Sequence, residues 1–419
     1  MRQRPSLRTA LSTTLFIGFA LSATAAEWAR FRGPDGNGIA ADRDVPVKWT
    51  TTDGVLWKTP IDGVGNSSPI VCGGRVFLQT SSPSGSERAL ACYDATTGKL
   101  LWSKSIPANK AHIHPRNTLA SGTPASDGER VYLAAWDGQD IQVHAFDFSG
   151  NHMWQTNLGK FVSQHGAGHS PIVYAGKVYL ANDQDGSAVL VALDAATGRA
   201  LWKSQRKPFR ACYSTPFIRS TPQGPELVVA STAGVSAYDP ATGALNWNCD
   251  WPFAGRPLRT VASPIAGSGL IFANAGDGDG SRDMIALHPG DKKTGKSGKL
   301  AWQERKSFPY VPCMLSLGDL LFTVNDKGIA ACTEAQTGKP IWSERLASAV
   351  TASPVLIDGK VYAPAEDGNV YVFSATTKFK LLARNPVGEP LIASPAVADG
   401  RLYLRGSNTL YCIGKTFVK

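Results

Sequence analysis

Four of the seven histidines fall in two short segments: His112 and His114 in "ANKAHIHPRNTLASG", His165 and His169 in "LGKFVSQHGAGHS". Arg116 follows the first pair. Arg210, Arg256, Arg259 and Tyr310 lie in three later segments of the same kind, "SQRKPFRACYS", "PFAGRPLRTVAS" and "KSFPYVPC". Neutral imidazole is a common metal ligand, and the planar fork of arginine pairs bidentately with carboxylates. Three readings are open. The segments could form a basic, imidazole-rich funnel for a small anionic ligand or the acidic stretch of a protein partner. They could hold a metal, although H-x-H and H-x-x-x-H are unspecific outside a helix. Or they could line a water-filled channel and bond their own loops.

A second group of segments is acidic: "AWDGQD", "NDQDGS", "GDGDGSRD" and "EDGN". Calcium needs oxygen donors at such density, but Asp-Gly is also the strongest short hairpin signal. Four segments sharing the dipeptide favour the turn. The Ser268 of "AGSGL" lacks the strand–turn–helix setting of a hydrolase nucleophile, so no catalytic residue is expected.

The elements that position these segments are repeated. "DATTGKLLW" at 94–102 returns as "DAATGRALW" at 194–202 and "DPATGALNW" at 239–247. Trp57, Trp102, Trp154, Trp202, Trp247, Trp302 and Trp342 end similar stretches at intervals of 40 to 55 residues. Each is followed by a Ser-Pro or Thr-Pro, except that in "VPCML" Pro312 precedes the expected place. Within 169–202, four short β-rich runs are separated by turn signals, which is the strand count of a propeller blade. In the repeated turn, Asp94, Asp194 and Asp239 are expected to accept backbone N–H groups, and Gly98, Gly198 and Gly243 to supply positive φ. The tryptophans then offer a large apolar face to the next blade. An open sheet edge invites aggregation, so the unpaired strand around Trp57 should complete the last unit. The expected fold is all-β: an eight-bladed propeller of four-stranded antiparallel blades over 45–414, closed by the two ends of the chain. The histidine and arginine segments then join consecutive blades on one face.

The remaining sequence bounds the setting. Residues 1–26 run from Arg2, Arg4 and Arg8 through "LFIGFAL" to Ala23-x-Ala25, the order of a cleaved secretory signal, and no cysteine follows the apolar run as a lipid anchor would need. A periplasmic or secreted protein is expected, without a transmembrane segment in the mature chain. Residues 27–44 read as an extended arm over the propeller, pinned by Trp28 and Phe31, and 415–419 as a tail. The net charge of +10 is spread along the chain rather than clustered, which argues against nucleic acid. Seven cysteines show no CxxC; Cys92, Cys332 and Cys412 recur at one place in the repeat and read as small buried residues.

The "DAxTGxxxW" and "SPxVxxGxVY" runs resemble the pyrroloquinoline quinone-type β-propellers. That family includes quinoprotein dehydrogenases and non-catalytic relatives of the BamB type. The dehydrogenases hold the quinone over calcium with Glu, Asn and Asp, and their alcohol-oxidising members add two adjacent cysteines. This chain has no adjacent cysteines and no matching acid set. By length and export it is similar to BamB; its "WARFRGPDGNG" start is also similar to exported propellers of planctomycete type. The resemblance therefore implies a binding scaffold for a protein or small anion with no cofactor, and, as the alternative, a quinone- or metal-dependent oxidoreductase using the same funnel.

Overall fold

The computed structural model describes residues 27–251, 256–306 and 308–415; the expected signal segment and most of the tail lie outside them. The described residues form strands and turns without a helix. The strands sort into eight antiparallel sheets, each four strands in up-and-down order, one of them joined by a fifth strand. Blades 1 to 7 span Ile70–Pro107, Ala125–Lys160, Ile172–Arg206, Phe217–Cys249, Ile265–Glu304, Leu315–Arg345 and Val355–Pro386. Blade 8 takes three strands from Ala396–Ile413 and its outermost, Val55–Pro60, from the other end of the chain. Trp57 pairs with Cys412 in that closure, so the ring is completed by both ends as expected.

The apolar core lies between blades, not inside any one of them. Val143 of blade 2 packs with Leu193 of blade 3, and Val228 of blade 4 with Ile285 of blade 5. Middle strands are therefore covered on both faces, as in Ala188–Asp194, while the outermost strand Ala200–Arg206 is largely exposed. The repeated turn stitches these layers. Asp94 Oδ1 accepts the N–H groups of Thr96 and Thr97 at 3.0 and 2.7 Å, and Asp194 and Asp239 do the same in their turns. Gly98 has φ +72°, and a Cβ there would lie 2.5 Å from the Trp57 ring, so both conformation and space require glycine. Gly198 stands in the same relation to Trp154, and Gly243 to Trp202.

Each indole also makes a bond the repeat did not reveal. Trp57, Trp102, Trp154, Trp202, Trp302 and Trp342 donate Nε1–H to a carbonyl in the next blade's turn, at 2.9–3.2 Å. Trp247 instead donates to the Glu226 carboxylate of its own blade. In blade 5 the usual turn is replaced by the longer "GDKKTGKSG" connection at 290–298, and Gly290 lies under the indole.

The Ser/Thr-Pro marks form an inner ring. Ser68 N–H donates to Thr123 Oγ1, Thr123 to Ser170, Thr215 to Ser263, Ser353 to Ser394 and Ser394 to Ser68, at 2.9–3.1 Å. The irregular sixth unit keeps the pattern: Ser263 N–H donates to Cys313 Sγ, and Cys313 N–H to Ser353. Cys313 thus occupies the hydroxyl position and Met314 the proline position. Proline suits the other seven because it lacks an N–H that the innermost edge would leave unpaired. Cys92, Cys332 and Cys412 each face a repeat tryptophan across the outer strand pair and are buried. Burial pushes the Cys92 and Cys412 thiols up to about 12.

The segment after residue 26 runs through the channel. Trp28 bridges Val71 of blade 1, Ala29 C=O accepts Ser126 N–H of blade 2, and Ile39–Ala40 lies parallel to Val355–Ile357 of blade 7. Arg30 Nη2 donates to Pro216 C=O of blade 4, and Arg32 to Pro354 and Met314 C=O of blades 7 and 6, all at 2.5–3.0 Å. Trp28 and Arg32 are each 1% exposed. This segment touches three of the eight inner strands and the residues just before two more, past the ring of hydroxyls.

Candidate functional site

The loops joining consecutive blades and those joining second to third strands share the face opposite that plug. They enclose a blind cavity of about 630 Å³ on the propeller axis. Phe31 forms its floor, the Ser/Thr ring its neck, and Tyr213, Tyr310, His114 and His165 its wall.

Of the residues singled out in the sequence, His114, Arg116, His165 and Tyr310 line the cavity. The His114 and His165 rings stack at 4.8 Å between centroids. Their loops are tied by His114 N–H to His165 C=O at 3.2 Å, and by Asn117 Nδ2 to the carbonyls of His165 and Ala167. Burial, then Arg259 and His114, depress the His165 imidazole to about 4, so it is neutral at pH 7, and its Nδ1 is buried without a partner. Burial likewise pushes the Tyr310 and Tyr213 phenols up.

The other five, His112, His169, Arg210, Arg256 and Arg259, do not line the cavity, Arg259 lying behind its wall. His112 is exposed on the loop outside it. His169 is 4% exposed, edge-on to Phe161 at 5.1 Å, with burial lowering its pKa. Its ring packs between Phe161 and Tyr213 in the wall between blades 2 and 4. Arg256 is bound to Asp283 and to Arg282 C=O, away from the cavity.

Arginines and acids of different loops neutralise each other, which the loops' separate compositions did not show. Arg116 crosses the mouth to Glu366 at 2.6 Å and Thr351 at 3.1 Å; Arg210 meets Asp277 at 3.2 Å; Arg282, lying over the Tyr310 ring, meets Asp326 at 3.5 Å. Asp326 also accepts the N–H groups of Tyr310 and Val311. In the Asp-Gly segments Asp137 accepts the N–H groups of Gln139 and Asp140, with Gly138 at φ +102°, which is the turn role. Among the described residues, no three His, Cys, Asp or Glu side chains cluster as a metal site. Arg259 is the exception to the pairing. It is 2% exposed, its Nη2 reaches only Gln164 Oε1 at 3.5 Å, and its Nε and Nη1 have no partner.

Comparison with known proteins agrees with this architecture. A family model described as outer membrane protein assembly factor BamB matches residues 34–139, 139–309 and 291–381. The outer membrane protein assembly factor BamB of Yersinia pestis is 24% identical over 292 residues, 68% of this chain and 61% of that protein, so the match spans about three-fifths of that relative. Among solved structures, BamB from Moraxella catarrhalis superposes with a TM-score of 0.63 at 14% identity, covering 87% of this chain and 98% of that one. A europium-containing methanol dehydrogenase superposes with 0.65 at 11% identity, covering 92% and 98%. At these identities the superpositions establish the propeller alone, since fold does not carry function. By the reach of the family model along its repeats, the chain belongs to the BamB family of pyrroloquinoline quinone-type β-propellers.

Proposed function

We propose that the protein is an exported, non-catalytic propeller that acts as a binding scaffold, with the funnel as its binding face for a protein partner or a small anionic ligand. The observation that carries this is the fixed, blind cavity: loops on a rigid ring, held by cross-loop ion pairs, around a neutral aromatic and hydroxyl-rich wall. Family membership supports a scaffold, and the names of the relatives point to the outer membrane assembly machinery as the setting. The envelope location rests on that kinship and on the signal-like first 26 residues.

The alternative, a quinone- or metal-dependent oxidoreductase, needs a cation held by acids beside the cavity. The acids there do not fit that demand. Asp277, Asp326 and Glu366 are already engaged by Arg210, Arg282 and Arg116, and the chain has no adjacent cysteines. A divalent ion would have to displace arginines to gain its ligands. A thermal-shift series on the mature protein separates the two readings, because a ligand that binds only the folded state raises the melting temperature. Stabilisation by anionic peptides or glycans is expected. Stabilisation by quinone that depends on calcium would overturn the scaffold reading.

A further inference from the structure

The internal pairing of the funnel fails on one stretch of wall, between blades 3 and 5. Seven links of the inner ring are made, and the eighth, from Ser170 N–H to Thr215 Oγ1, is not. Thr215 is 3% exposed, borders the cavity, and its hydroxyl has neither donor nor acceptor among the described residues. Beside it, Tyr213 N–H is bonded to Thr260 C=O, the residue after Arg259. The same stretch therefore holds an unused hydroxyl, a buried guanidinium with two unpaired N–H-bearing nitrogens, and the unpartnered Nδ1 of His165.

The charge in this stretch has one sign, and the hydroxyl and imidazole can adapt to it. Arginine only donates, and it is charged at any physiological pH. In the ring, Thr123, Ser170 and Ser394 spend an oxygen lone pair on the neighbouring N–H, which leaves their own O–H free to donate toward the cavity. The acids of the neighbourhood are already taken: Asp183 by Arg206, Asp185 by Ala211 N–H, Asp277 by Arg210. A buried charge without a counter-charge is costly, and the other arginines of these loops each have one. What this stretch lacks is an acceptor carrying negative charge.

We propose that the wall between blades 3 and 5 is an oxyanion subsite, in which a carboxylate or phosphate group of the ligand accepts from Thr215 Oγ1–H and offsets the charge of Arg259. The proposal rests on the funnel reading above and gives it a ligand chemistry. The wall residues act by binding alone; no bond is made or broken.

The test is isothermal titration of the mature protein with inorganic phosphate and, separately, with citrate, at constant ionic strength and pH 7.5. Thr215→Val keeps the Thr215 N–H bond to Ser263 and the side-chain shape, and Arg259→Gln removes the cation. The expected result is saturable binding of one of the two anions, weakened at least tenfold by either substitution while the melting temperature without anion stays within about 2 °C of the parent. The better-bound anion tells a phosphate head from a carboxylate one. Equal binding by parent and both variants, or no saturable heat with either anion, would overturn the subsite. If anionic peptides still stabilise the protein in that second case, the funnel reading survives and only the subsite fails.

Discussion

The outer wall of the propeller and its axial funnel solve opposite problems. On the wall one solution is repeated: an Asp-capped turn, a glycine with φ near +73°, and an indole that packs on that glycine and donates to the carbonyl beside it. In the funnel no two positions agree. Two loops stack an imidazole each on the other, one of them also carries an arginine across the mouth, and a third leaves an arginine without an acid. Repetition is where stability is placed; irregularity is where the proposed binding face lies. A substitution in the wall should therefore alter folding, and one in the funnel should alter binding.

That contrast breaks first, if it breaks, at Trp154. Trp154→Ala removes a buried indole and its bond to Ala195 C=O, and should cost about 3–5 kcal/mol in urea unfolding. A cost below about 1 kcal/mol would mean the wall is not where the stability lies. Arg32→Ala comes next. It strands the carbonyls of Met314 and Pro354 in the plug, and should cost about 2–3 kcal/mol by the same measurement. It should also quicken hydrogen exchange in residues 355–357, which the plug covers.

His165 sharpens the comparison through pH. Its folded pKa is about 4, below the unfolded value of about 6.5, so the unfolded chain binds the proton first. Its contribution to stability is complete above pH 6.5 and is lost as pH falls toward 4. His165→Gln should flatten the stability profile in that window by about 1 kcal/mol after allowing for solvent screening, and leave pH 7.5 nearly unchanged. The smallest effect belongs to Arg116→Gln. Its ion pair with Glu366 is largely exposed, and the change should stay within about 0.5 kcal/mol.

The wall was legible in the sequence and the funnel only partly so, for a physical reason. Trp57, Gly98 and their equivalents recur because every blade meets the same neighbour, so repetition announces the contact. Even the closure of blade 8 followed from counting strands. The Ser/Thr-Pro marks were visible as punctuation, but that their hydroxyls bond around a ring, with Cys313 standing in for one of them, depends on the radius at which inner strands meet. The funnel residues have no repeat to betray them. His114, Arg116, His165 and Tyr310 were found through their loops. His169 stands apart from the cavity because its loop reaches the funnel while its ring packs against Phe161 and Tyr213. Asn117, Tyr213, Thr215 and Arg282 were missed, and so was the match of Arg116, Arg210 and Arg282 to acids on other blades. Arg116 and Glu366 are 250 residues apart, and only the closed ring brings them together.

The most direct test is site-specific photo-crosslinking in the native envelope from two positions of matched exposure. Phe209, 56% exposed, sits on the funnel rim before Arg210; Leu245, 57% exposed, sits on the outer strand of blade 4. A photoreactive residue at 209 should give a discrete adduct that is lost on competition with unlabelled protein, and one at 245 should give none. A discrete adduct from 245 with none from 209 would contradict the claim that the funnel is the binding face.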